Sequence, residues 1–365
     1  MAKNNRSANK GEWSEFYAFL KILEQRKLPA ANKNLEIIAG KSFIFCKIIR
    51  EEKGGVTKIY DISGPKSDII IRNQSGAILK KVSSNNLKAK TLKIFEKIKD
   101  GKKVFAIAEA EEMMRDFLCN KVKADNNKKA DIIAVIHDRV TETMPQLGFS
   151  VKSMIGGAST LFNAGKTTNF IFKVDGFKGD IDKINSIKTR SKIRDRLSAI
   201  INDGGVLSLS YLSSEELKLN LKNIDTAFPR FIAQMLLNFF LGKGSLMRDL
   251  VKTLANDPIF KKEFGLSIAS YETKVKRFLD AVALGMVASI EWNGHSDDIH
   301  GGYIVVKQNG EVVCYHLYNR NEFMSYLYEN TKFDSPSSGR HDYGLLYEKD
   351  GELFFNLNLQ IRFLK

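Results

Sequence analysis

Residues 129–153 read KADIIAVIHDRVTETMPQLGFSVKS. The β-branched run 132–136 and the alternating run 147–151 flank a polar segment with a proline, the pattern of two strands joined as a hairpin. With the turn centred near Thr141 and Glu142, Asp131 stands opposite Lys152 and Ile133 opposite Ser150. Period-2 alternation then puts Asp131, Ser150 and Lys152 on one face. A carboxylate and an ammonium at one strand end can hold a divalent metal beside an attacking water. The same pair equally suits a cross-strand ion pair on a sheet rim.

A chain of 365 residues predicts two domains or one large elaborated domain. Its hydrophobic fraction, 43%, is that of ordinary globular proteins, and no run approaches the roughly 20 apolar residues that cross a bilayer. The opening MAKNNRSANKGEW carries no apolar signal segment, so the expectation is a soluble, cytoplasmic protein with no membrane partner. Cys46, Cys119 and Cys314 stand far apart without metal-ligand spacing and are expected reduced and buried. Against 42 acidic residues stand 57 basic ones, and the formal charge of +15 suits a polyanionic partner, nucleic acid ahead of a membrane surface.

Upstream of the hairpin, residues 12–25 place Trp13, Phe16, Tyr17, Leu20 and Leu23 at helical spacing, with Glu15 at the edge of the apolar face. Strands are predicted at 42–49, 56–62 and 67–72, and helices at 85–99 and 109–119. Downstream, 169–174 reads as a further strand of the central sheet. From 175 the texture turns helical, at 181–201, 214–221, 229–241 and 271–290, and a domain boundary is placed near 180. Strands return at 302–307 and 312–318, around Asn309-Gly310 with its type I′ signal. A helix at 321–329 and a polar loop at 334–344 precede strands at 345–347 and 353–363, joined around Asp350-Gly351.

Three motifs carry alternatives. In GASTLFNAGKTT, residues 157–168, the first glycine has the wrong spacing for a phosphate loop and a strand follows where a helix is needed. Lys166 can instead neutralise a nucleic-acid phosphate, or the stretch is only a linker. His295, Asp297, Asp298 and His300 gather possible ligands, but without cysteine or helical spacing behind them. The loop SPSSGRHDY, residues 335–343, offers Arg340 for guanine and Asp342 for a cytosine amine, or is a solvated connection.

Several stretches together resemble the HpaII family of type II restriction endonucleases. They are KGEWSEFYAFLKIL; KADIIAVIHD with LGFSVKSMIGGASTLFNAGKTTNFIFKV; VVCYHLYNRNEF; FDSPSSGRHDYG; and NLQIRF. The resemblance spans nearly the whole chain. It implies an enzyme that cuts double-stranded DNA at the palindrome CCGG, needs Mg²⁺ and is paired with a cognate DNA methyltransferase. The hairpin also resembles a degenerate PD-(D/E)xK site, which implies that Asp131 binds metal and Lys152 orients or deprotonates the attacking water. Ala130 and Ser150 depart from that pattern, and no acid lies between Lys152 and Asp175. A replacement carboxylate is therefore expected from upstream: Glu15 first, with Glu109, Glu111 and Glu112 in reserve and Gln146 as a neutral metal ligand.

The expected architecture is α/β, with a PD-(D/E)xK-like mixed sheet flanked by helices over 1–180. A helical, β-hairpin-rich half, 181–365, shapes DNA recognition and dimerisation. Arg340, His341 and Asp342, backed by Arg320 and Asn321, are the expected base-reading residues. A palindromic target favours a homodimer. A sequence-specific DNA-binding protein without catalysis is the alternative, kept open by Ser150.

Overall fold

The computed structural model describes residues 6–52, 54–124, 130–138, 142–295 and 299–364. Two compact units divide the chain: residues 1–159 with 296–326, and Thr160–His295 with Leu327–Leu364.

The first unit is built on a nine-stranded mixed sheet. The hairpin forms its centre as strands Ile132–His137 and Gln146–Ser153. On one side, Ile132–His137 pairs antiparallel with the long strand Ile37–Glu52, which leads into Val56–Asp61, Asp68–Asn73 and Ile78–Ser83. On the other side, Gln146–Ser153 pairs parallel with Gly302–Val306, which pairs antiparallel with Val312–His316. Lys27–Ala31 pairs both with Val312–His316 and with Ile37–Glu52, so that end of the sheet curls back on itself.

Helix Lys10–Gln25 starts in a reciprocal capping box between Asn9 and Glu12 and stops at Arg26, whose φ of 60° is left-handed. The predicted apolar face is buried, and so are Ser14, Ala18, Phe19 and Ile22, because the helix lies between helix Leu87–Asp100 and the sheet. Tyr17 donates to the Gly310 carbonyl at 2.7 Å and Trp13 to that of Phe105 at 2.9 Å. Ser14 Oγ donates to Ser153 Oγ at 2.8 Å, tying the helix to the hairpin.

The second unit holds a four-stranded antiparallel sheet: Val206–Leu212, Asn169–Asp175, Glu352–Asn358 and Leu346–Lys349. It also holds a three-stranded sheet and helices that include Lys192–Asn202, Glu215–Ile224, Phe228–Phe240 and Ile268–Ala283.

Four expectations are corrected. Strand Asn169–Asp175 does not join the central sheet, because a buried apolar run specifies a strand but not its partner. The hairpin 302–316 lies in the first unit's sheet, and residues 160–180 belong to the second unit, so a single cut near 180 does not describe the chain. The helix read over 181–201 is two helices, Ile181–Asn185 and Lys192–Asn202. At Asn309-Gly310 only the glycine has positive φ, so the turn is not type I′; that geometry falls at Asp350-Gly351, with φ of 54° and 78°.

The three cysteines are buried and free. Among the described residues, no helix is long and apolar enough to cross a membrane.

Candidate active site

In the hairpin, Ile132 pairs with Phe149 and Ile133 with Gly148, two residues away from the expected register. A slip of two preserves the pleat's parity, so every side chain keeps its face. Asp131 extends the ladder with its N–H on the Phe149 carbonyl at 2.9 Å. Its Oδ2 accepts from the Val151 N–H at 2.8 Å and from Ser150 Oγ at 3.1 Å. Ser150, where the resemblance calls for a second acid, thus orients the first one.

The second carboxylate arrives on helix Lys10–Gln25. Lys123 Nζ lies 3.2 Å from Glu15 Oε1 and 3.2 Å from Asp131 Oδ1, joining the two acids through one ammonium. Glu15 Oε2 is buried with no protein hydrogen-bond partner. The acids share a cleft with the apolar side chains of Phe19, Ile48 and Ile132. Burial there, helped by the Asp131 charge and opposed by Lys123, pushes the Glu15 carboxyl up to about 7. For Lys123, burial works against the cation, but Asp131 and Glu15 outweigh it and raise its pKa.

Lys152 stands on the same strand face, half-buried, with Nζ 5.2 Å from the centroid of the buried Tyr303 ring. Burial lowers its pKa, partly offset by the charges of Asp131 and Glu15. An ammonium destabilised in this way gives up or shares a proton more readily than an exposed lysine.

Glu15, Asp131, Ser150 and Lys152 are therefore brought together, and Gln146 is not. Gln146 is exposed, pairs with Val135 and lies four residues from Ser150, about 13 Å at the usual strand rise. In the reserve cluster, Glu112 pairs with Lys90 at 2.9 Å on the surface of helix Ala108–Asp116. Asp297 and Asp298 lie outside the described residues, while His300 Nε2 is 3.2 Å from the Gln146 carbonyl oxygen.

The DNA-reading candidates divide between the units. Arg320 and Asn321 are exposed in the first turn of helix Arg320–Glu329 in the first unit. In the second unit, Arg340 and His341 sit on the short helix Ser338–His341, and Asp342 follows at a left-handed φ of 53°. Asp342 makes an exposed ion pair with Lys166 at 2.6 Å. Sequence reasoning missed Lys123, whose connector reads as generic polar chain; no spacing rule ties it to acids from two different elements.

No solved structure matches the chain. Among curated proteins, the type II restriction enzyme HpaII of Haemophilus parainfluenzae is 36% identical over 359 residues, covering 98% of this chain and 99% of that enzyme. The family described as HpaII restriction endonuclease matches residues 9–363. With the family pattern and the relative both running nearly end to end, the chain belongs to the HpaII restriction endonuclease family.

Proposed function

We propose that this type II restriction endonuclease cuts double-stranded DNA at CCGG by Mg²⁺-dependent phosphodiester hydrolysis at Glu15, Asp131 and Lys152. The carrying observation is the pair of carboxylates bridged by the Lys123 ammonium, with a buried carboxylate oxygen left over. A cation already bridges the acids, so the donor set fits a divalent metal. Among the described residues no group of three or more His, Cys, Asp or Glu gathers around a common point. One or two carboxylates completed by water and substrate phosphate is the coordination Mg²⁺ favours. Glu15 and Asp131 would hold the ion, and when bound it would supply charge stabilisation to the reacting phosphate.

The chain's own groups do the rest. The Val151 N–H and the Ser150 hydroxyl fix the Asp131 carboxylate. Lys152 Nζ positions the attacking water and, with its lowered pKa, accepts its proton as the water oxygen bonds to phosphorus and the bond to the leaving oxygen breaks. Lysines and arginines on phosphates supply most of the affinity, and Arg340, His341 and Asp342, with Arg320 and Asn321, read bases. A palindromic site is served by a homodimer, with a methyltransferase protecting host DNA in the cytoplasm.

The test is incubation of the purified protein with unmethylated plasmid in Mg²⁺, beside an EDTA control, and sequencing of the fragment ends. Discrete ends at CCGG are expected. Discrete ends elsewhere refute the specificity, and intact DNA that is nonetheless bound refutes the catalytic reading.

A further inference from the structure

In the second unit the run KTRSKIR, residues 188–194, places Lys188, Arg190, Lys192 and Arg194 at alternate positions entering helix Lys192–Asn202. Among the described residues none of these four cations makes an ion pair, and Lys188, Arg190 and Arg194 are exposed. Arg190, Lys192 and Arg194 form one wall of a groove of about 470 Å³, and Ser335, Ser337 and Ser338 contribute hydroxyls to the other. Phe240 and Tyr343, with ring centroids 5.8 Å apart, also line it.

Both walls are held in place from beneath. Arg196, 5% exposed, donates to the Gly344 carbonyl at 2.6 Å and to the Asn185 and Ile187 carbonyls at 2.7 and 2.8 Å. One buried guanidinium thereby ties the segment before the basic run to the segment after the serine loop. Gly344 has φ +83° and lets the walls approach closely; a Cβ there would meet Ile193 Cδ1 at 2.0 Å. The groove is preformed, so binding an anion in it costs little reordering.

Three cations without ion pairs, lining one groove with serines, match a chain of phosphates, and duplex DNA is the polyanion this family cuts. The serine loop runs directly into Arg340 and His341. We propose that this groove is a phosphate-backbone clamp: Arg190, Lys192 and Arg194 neutralise phosphates of the strand flanking the target site, with Ser337 and Ser338 donating to phosphate oxygens. The clamp rests on the endonuclease reading but makes no use of the catalytic carboxylates.

The test measures binding of the full-length protein to two labelled duplexes, one with CCGG and one with the site scrambled, in Ca²⁺ across a range of salt. R190Q, K192Q, R194Q and the triple variant are compared with wild type. These side chains are unpaired at the surface, so melting temperatures close to wild type are expected. Each single variant should lower the slope of log affinity against log salt by about one, and the triple variant by about three. The triple variant should lose at least about tenfold affinity for both duplexes equally, leaving their ratio unchanged. An unchanged slope in the triple variant, while wild type binds DNA, overturns the clamp alone. A changed ratio makes the groove a base reader, and displacement of duplex by low-millimolar inorganic phosphate makes it a pocket for a single phosphate; either result overturns the backbone assignment. Failure of wild type to bind either duplex overturns the clamp and the endonuclease reading together.

Discussion

Asp131 has one oxygen on the hairpin's own donors and the other on Lys123, whose ammonium also contacts Glu15. Removing the Asp131 carboxylate should lower cleavage by at least about 10²-fold while binding in Ca²⁺ persists, since electrostatic stabilisation at a reacting phosphate is of that order. Gel-shift and single-turnover assays on Asp131→Ala separate the two; retained cleavage would remove the hairpin from the mechanism. Lys123→Met leaves two carboxylates without their bridging charge. In EDTA this variant should melt below wild type, and Mg²⁺ should raise its melting temperature by more than it raises that of wild type. Equal increments would show that the ammonium and the ion do not share a place.

Glu15 and His316, a buried histidine at the end of strand Val312–His316, set pH dependences of opposite sign. Burial among Phe43, Phe149 and neighbouring groups holds His316 at about 4, below its ordinary 6.5, with the Asp138 charge offsetting only part. Below pH 6.5 the unfolded chain takes up a proton that the folded one refuses, so this histidine costs stability as pH falls toward 4, up to roughly 3 kcal/mol. Glu15 works the other way: held at about 7 against an ordinary 4.5, it is protonated in the fold first and adds stability as pH falls from 7 to 4.5. In metal-free protein the two slopes oppose. Denaturant unfolding of Glu15→Gln should show stability falling with acid, and of His316→Asn stability rising, over pH 7 to 4.5. Matching slopes in the two variants would be fatal to both assignments.

At the scale of elements, helix Lys10–Gln25 is both core and site, because the face that buries Trp13 and Phe16 sets where Glu15 meets Asp131. Asn9→Ala removes the cap and should cost about 1 kcal/mol. Trp13→Ala, at a fully buried position, should cost about 3–5 kcal/mol. Chemical denaturation measures both; a near-neutral Trp13→Ala would mean that the helix is not part of the core. The hairpin tolerated an error in its expected register because a shift of two residues leaves Asp131, Ser150 and Lys152 on their face. Gln146 stands apart from the two acids for a related reason: it shares that strand face but lies four residues along it from Ser150.

Over the whole molecule, the net charge of +15 and the unpaired run 188–194 predict affinity for DNA that falls steeply with salt. Sedimentation of the protein with a short CCGG duplex in Ca²⁺ should give two chains per duplex, and one chain per duplex would rule out the dimer. Each compact unit draws on two separated parts of the sequence. Composition along the chain cannot show this, because a strand such as Gly302–Val306 reads the same whichever sheet receives it.

By itself the sequence determined many of the elements, among them helix Lys10–Gln25 and the central hairpin, and the family, since periodicity, turn chemistry and residue type are local properties; it did not mark Lys27–Ala31, Ile78–Ser83 or Val206–Leu212. It also offered Glu15, Asp131, Ser150 and Lys152 as candidates, three of them through the two-residue period of one hairpin, and these four lie near one another. Only the tertiary structure decided which sheet took Asn169–Asp175, that Glu15 meets Asp131 across Lys123, and that Arg196 sets a basic run against a serine loop. Several of those contacts join residues more than 100 positions apart, as Glu15 to Lys123 and Arg196 to Gly344 do, and they are chosen by the packing of whole elements, which no local pattern encodes.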